Sequence, residues 1–88
     1  MLEVVFSKHA QKFIKKHKAN TSLIKKLASS INKLRAEPIP ASAKKLVGYP
    51  FYRIRVQDYR IVYKFDSTDL NIVIIEKRDK VYGLLRKH

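Results

Sequence analysis

The chain has 88 residues, of which 45% are apolar and nine are aromatic, a composition that supports one thin-cored folded domain and argues against disorder. Twenty lysines and arginines stand against seven acids, a net charge of +13. Such a field repels itself in the compact state and attracts polyanions: nucleic acid, an acidic protein or an anionic membrane surface. The absence of cysteine excludes disulfides and thiolate metal sites, and the longest purely apolar run, 72–75, is far short of the ~20 residues that span a bilayer.

The opening "MLEVVFSKHA" has no basic region ahead of an apolar run and does not read as a signal peptide. A soluble, cytoplasmic protein with a single domain over 1–88 is expected. Residues 2–6, "LEVVF", read as a first strand, and Ser7 is a good N-cap for a helix starting directly after it. Ala10, Phe13, Ile14 and His17 repeat at i, i+3, i+4, i+7, so 8–18 reads as an amphipathic helix. "ANTS" breaks that pattern and caps a second helix, about 22–36, with Ile24, Leu27, Ala28, Ile31 and Leu34 as its apolar stripe. "EPIPAS" cannot continue a helix, because proline lacks the amide and clashes with the preceding turn. "AKKLVGYP" then leads into a hairpin, and "LNIVII", apolar on both faces, reads as a central strand. The tail "DKVYGLLRKH" suggests a short last turn of helix. The order βααβββ predicts an α+β domain, with a helical hairpin over one face of a small, mainly antiparallel sheet.

The hairpin, "YRIRVQDYRIVYKF", alternates apolar and polar residues. Tyr52, Ile54 and Val56 share a face with Tyr59, Ile61, Tyr63 and Phe65, the side expected under the helices. Arg53, Arg55, Arg60, Val62 and Lys64 take the other. A tight turn at Gln57-Asp58 sets Arg55 opposite Arg60, and like charges facing across strands are unfavourable. A solvated polar face explains most charged sheet faces. The contrary observation is that Asp58, in the turn, is the only acid between residues 49 and 65, so nothing on that face neutralises the row. Arginine also matches phosphate bidentately. A phosphate-binding face is the preferred reading.

The segment "KKLVGYPFYRIRVQDYRIVYKF", followed by an apolar strand and "EKRDKVY", resembles the RelE/ParE toxin superfamily of type II toxin–antitoxin systems, and the resemblance runs over the whole chain. It implies a RelE-like βααβββ fold. For the RelE branch it implies a ribosome-dependent endoribonuclease that inhibits translation. Such an enzyme cuts mRNA in the A site by attack of a ribose 2′-OH on the adjacent phosphate. The family's functional positions then fall on Arg53, Arg55, Arg60, Arg78 and Tyr82. The ParE branch, which poisons DNA gyrase, generally lacks the final Arg-and-Tyr pair, so its presence points toward RNA cleavage. The first two positions are often lysine in the RelE branch and are arginine here. Arginine stays protonated at neutral pH and is a poor general base, so Arg53 and Arg55 would grip the phosphate while proton abstraction falls elsewhere.

For that proton the candidates are Tyr82, the terminal His88, since some toxins of the superfamily use a C-terminal histidine, and Asp79, which reads as a turn residue. His9 and His17 read as boundary residues of the first helix. No His, Asp or Glu cluster has metal-ligand spacing and two glycines make no phosphate loop, so no metal or cofactor is expected. The helix lysines Lys8, Lys12, Lys15, Lys16, Lys18, Lys25, Lys26 and Lys33 read as salt-sensitive rRNA contacts and as a surface for an acidic antitoxin. Two other readings remain open: a ParE-like gyrase inhibitor, or an inactive relative that binds nucleic acid or a partner. An amphipathic membrane-surface protein fits less well, because the 24–34 stripe is short and reads as core. The discriminating question is whether Arg78 and Tyr82 lie near the hairpin arginines.

Overall fold

A computed structural model of the chain describes residues 1–87. The elements run β1 (Glu3–Phe6), α1 (Lys8–His17), α2 (Thr21–Ala36), β2 (Lys44–Lys45), β3 (Tyr52–Val56), β4 (Tyr59–Phe65), β5 (Asp69–Lys77) and α3 (Arg78–Leu85). The sheet order is β1-β5-β4-β3-β2. β1 pairs parallel with β5, and the other neighbours are antiparallel. β5 is thus an interior strand between β1 and β4, in keeping with its apolar sequence.

Local chemistry sets the helix ends. The Ser7 hydroxyl accepts from the Ala10 amide at 3.0 Å and donates to the Val73 carbonyl at 2.6 Å, so one side chain both caps α1 and ties it to β5. Asn20 caps α2 by accepting from the Leu23 amide at 3.2 Å. The buried stripe of α2 is Leu23, Leu27, Ile31 and Leu34. Leu23 takes the place expected of Ala28, which is exposed, because the helix presents a slightly rotated face to the sheet. Beyond the prolines the Tyr63 hydroxyl, on a fully buried ring, donates to the Pro38 carbonyl at 2.6 Å and pins the connection to the sheet.

There are two cores. The first lies between the sheet and the α1–α2 layer and contains Phe13, Leu23, Leu27, Ile31, Ile54, Ile61, Tyr63, Ile72 and Ile75. The second, on the opposite face, joins Val62, Val73 and Ile74 to Val81 and Leu85 of α3 and to Leu46 and Phe51. β5 can serve both because a bulge interrupts its register with β4: Tyr63 pairs with Ile72 and Val62 with Ile74, leaving Val73 unpaired. The tail is therefore a packed helix of 8 residues rather than a last loose turn, and the arginine face is partly roofed instead of open. The short strand β2, hidden in the polar "KK", pairs with Tyr52 and Arg53 at the sheet edge. Propensity gives no hint of it.

Candidate functional site

The β3–β4 hairpin closes on a two-residue turn, and Gln57 takes a left-handed φ of 55° there. That conformation favours glycine and costs a side-chain-bearing residue about 1–2 kcal/mol. The register sets Arg55 directly opposite Arg60, and Arg53 opposite Val62. Arg55 steadies the turn by donating from Nε to the Gln57 carbonyl at 3.0 Å, and its two terminal nitrogens are left for another acceptor.

Arg60 is 9% exposed, the one buried charged residue among those described. Burial, followed by the positive fields of Arg53, Arg55 and Arg78, holds its guanidinium below the usual arginine range, while Tyr82 acts in the opposite sense. Among the described residues no buried side-chain nitrogen or oxygen lacks a partner, and with none of them does Arg60 form a hydrogen bond. Its guanidinium therefore still reaches solvent, at a pocket of about 390 Å³ lined by Arg55, Asp58, Arg60, Lys77, Arg78 and Asp79.

α3 completes the site. Val81 and Leu85 hold one side of it to the sheet. Arg78 and Tyr82, four residues apart and thus neighbours on one helix face, act on Arg60, and Tyr82 is 48% exposed. Lys77 precedes the helix without a side-chain cap, so the first-turn amides, with their positive end of the helix dipole, carry no internal acceptor from that residue. Three arginines and a lysine line the open pocket against the two carboxylates Asp58 and Asp79, with Arg53 and Tyr82 acting on Arg60 nearby. This excess of cations is suited to an anion with several oxygens, of which a phosphodiester is the biological example.

Of the residues singled out from sequence, Arg53, Arg55, Arg60, Arg78 and Tyr82 converge. His88 lies outside the described residues. Asp79 is not in a turn but in the first turn of α3, lining the pocket. Lys8, Lys12, Lys15, Lys16, Lys18, Lys25, Lys26 and Lys33 are exposed on the α1–α2 layer and none lines the arginine pocket, though Lys12 and Lys16 line a cleft beside α1 that shares Lys77 with it. Sequence reasoning misses two residues. Lys77 has a signal in the basic run "EKRDK" at a strand end. Glu76 is the register partner of Arg60, but its carboxylate accepts from the Lys77 amide at 3.1 Å and lines a different cleft.

Residues 4–82 match the family described as "ParE toxin of type II toxin-antitoxin system, parDE". The chain belongs to this toxin family. No curated protein matches the sequence. The RelE/ParE fold is seen again in solved structures. A point mutant of YafQ from E. coli is 18% identical, with a TM-score of 0.76 over 94% of this chain and 100% of that one. The YoeB dimer from Staphylococcus aureus is 20% identical, with a TM-score of 0.76 over 88% and 97%. The toxin in the RelB–RelE antitoxin–toxin complex from Methanococcus jannaschii is 24% identical, with a TM-score of 0.64 over 89% and 94%. At these identities the likeness establishes the fold, and the chain is a type II toxin of the RelE/ParE superfamily by its family match.

Proposed function

We propose that this toxin is an endoribonuclease that cuts mRNA in the ribosomal A site and so arrests translation. The observation that supports this reading is the convergence of Arg78 and Tyr82, carried by α3, on Arg53, Arg55 and Arg60 of the hairpin. In the reaction the ribose 2′-oxygen attacks the adjacent phosphorus. The 2′-O–P bond forms as the P–O5′ bond breaks, giving a 2′,3′-cyclic phosphate and a 5′-hydroxyl. Arg55 and Arg60 bind the non-bridging oxygens, where charge builds in the transition state, and Arg53 and Arg78 flank them. Because the cations are already gathered, with their mutual repulsion built into the folded state, no reorganisation is needed when that charge appears. Tyr82 is the proton donor to the departing 5′-oxygen. Asp58 and Asp79, the carboxylates in the same pocket, and the terminal His88 are the groups that can take the 2′-OH proton.

The exposed lysines of α1 and α2 supply sequence-independent attraction to rRNA, and an acidic antitoxin neutralises the toxin, by analogy with the DinJ–YafQ and RelB–RelE complexes among the similar structures. No helix among the described residues is long and apolar enough to cross a membrane. The proposed site of action, the translating ribosome, is cytoplasmic. A second reading, inhibition of DNA gyrase without RNA cleavage, is favoured by the ParE family match itself. Purified protein incubated with mRNA, with and without 70S ribosomes, separates the two. Cleavage on ribosomes with cyclic phosphate ends is the expected result. Growth arrest without any cleavage would sink the nuclease and leave gyrase.

A further inference from the structure

A second concavity lies away from the arginines. It is a cleft of about 320 Å³ between α1, the start of β4 and the junction of β5 with α3. Its size is at the lower end of the ~300–1,000 Å³ range of small-molecule sites. Four lysines line it, Lys12 and Lys16 from α1 and Lys77 and Lys80 from the junction, against one carboxylate, Glu76, which is occupied by a backbone amide. Its aromatic wall is ordered. The His17 ring stacks on Phe13 with centroids 4.0 Å apart, and Tyr59 meets both edge-on, at 5.3 Å from Phe13 and 6.1 Å from His17.

The histidines are held in place by backbone carbonyls. His9 Nε2 lies 3.2 Å from the Ile75 oxygen, and His17 Nδ1 lies 2.9 Å from the Phe13 oxygen. A carbonyl oxygen only accepts, so each of those nitrogens carries the proton. When the ring is neutral, its other nitrogen, Nδ1 of His9 or Nε2 of His17, accepts from the exocyclic amine of a base. Cations for a phosphate, rings for a base and acceptors for a base edge are the three needs of a nucleotide in a single strand. One residue joins this cleft to the arginine pocket: Lys77 lines both.

We propose that the cleft holds a nucleotide of single-stranded RNA next to the one held at the arginines. Its base lies against Tyr59 and His17, and its phosphate lies among Lys12, Lys16, Lys77 and Lys80. This inference rests on the RNA-cleavage reading for the direction of the strand. It assigns to Lys12 and Lys16 the substrate strand instead of the ribosome, and it makes the cleft a place where the base beside the cut is felt. A lysine cluster alone would be an ordinary solvated surface; the ordered rings and the shared Lys77 set this one apart.

The test uses the intact protein at low salt and a short 2′-O-methyl RNA carrying 4-thiouridine, which has no free 2′-OH and cannot be cut by the proposed chemistry. Cross-linked residues are mapped by mass spectrometry. Cross-links to Tyr59 or to residues 9–17, together with those at the arginine face, are the expected result. Lys12→Gln with Lys16→Gln, both at exposed positions, should leave the melting temperature unchanged and reduce the slope of log Kd against log salt by about 1.4, the single-strand value for two lost phosphate contacts. Tyr59→Leu should weaken binding about 5- to 150-fold, as loss of one base–aromatic stack does, and Tyr59→Phe should not. Cross-links confined to Arg53, Arg55, Arg60, Arg78 and Tyr82 would overturn the cleft while leaving the nuclease standing. Cross-links in the cleft from a protein that never cleaves RNA would uphold the cleft and remove the nuclease. An unchanged salt slope in the double variant would overturn the lysine assignment.

Discussion

Arg60→Met should make the protein more stable and inactive. Arg60 is nearly buried, has no hydrogen bond among the described residues, and sits in the positive fields of Arg53, Arg55 and Arg78. A like charge facing across strands costs about 0.2–1 kcal/mol, which Arg55 supplies directly; the fields of Arg53 and Arg78 and the desolvation of Arg60 add to it, for roughly 1–2 kcal/mol in all. Methionine keeps an unbranched stem against the second core and leaves no partner unsatisfied. For a domain of this size 1 kcal/mol moves the melting temperature by about 4–8 °C, so a rise of about 4–16 °C is expected at low salt. The gain should shrink as salt screens the repulsion. Thermal melts followed by circular dichroism, at low and high salt and with added inorganic phosphate, measure this directly. Phosphate should raise the melting temperature of the wild type and not that of the variant. A variant that melts below the wild type at low salt would refute the reasoning, because Arg60 would then be holding the fold rather than waiting for an anion.

Three other substitutions probe the rest of the molecule. Burial pushes the Tyr63 phenol up from 10.0 to about 12, so between those values the unfolded chain has lost a proton that the folded one keeps, and stability falls as pH rises through that window. The full loss is about 2–3 kcal/mol by two pKa units, and Tyr63→Phe, which also removes the bond to Pro38, should abolish that alkaline step in a pH-resolved melt. Leu85→Ala should cost about 2–5 kcal/mol as a buried truncation and should lower RNA cleavage by loosening α3, with Leu85→Met restoring most of both; full activity in a folded alanine variant would separate α3 from the site. Tyr82→Phe should slow single-turnover cleavage more than it weakens binding, and an unchanged rate would remove Tyr82 from the chemistry.

The parts legible in the sequence were those governed by period and by proline. Alternation over 52–65 determined which hairpin residues share a face, and the structure pairs Arg55 with Arg60 as that alternation requires. Ser7 and the "ANTS" break announced both long helices, and the structure assigns the second cap to Asn20. What stayed hidden depends on partners distant in the chain. β2 is two lysines whose strand state comes only from lying beside β3. The second core was invisible because Val62 reads as one apolar residue in a polar row. It becomes core only when the β5 bulge turns Val73 and Ile74 to the same side and α3 closes over them. Likewise the cleft beside α1 draws Tyr59, Lys77 and His17 from three elements, and no window of sequence contains that set.

α3 explains why the arginine cluster can exist in so small a domain. Its residues fall into two pairs at the same spacing. Val81 and Leu85 face the sheet, and Arg78 and Tyr82, three positions before each, lie on the adjoining side toward Arg60. The apolar pair must be seated for the polar pair to reach Arg60, so the second core and the candidate chemistry form together or not at all. The repulsion among Arg53, Arg55, Arg60 and Arg78 works against that seating, and a bound phosphate relieves it. Anion binding should therefore tighten α3 onto the sheet. Amide exchange in residues 78–85 should slow when phosphate or RNA is added to the wild type and stay unchanged in Arg60→Met, and exchange that ignores the anion in both would show that helix and site are not coupled.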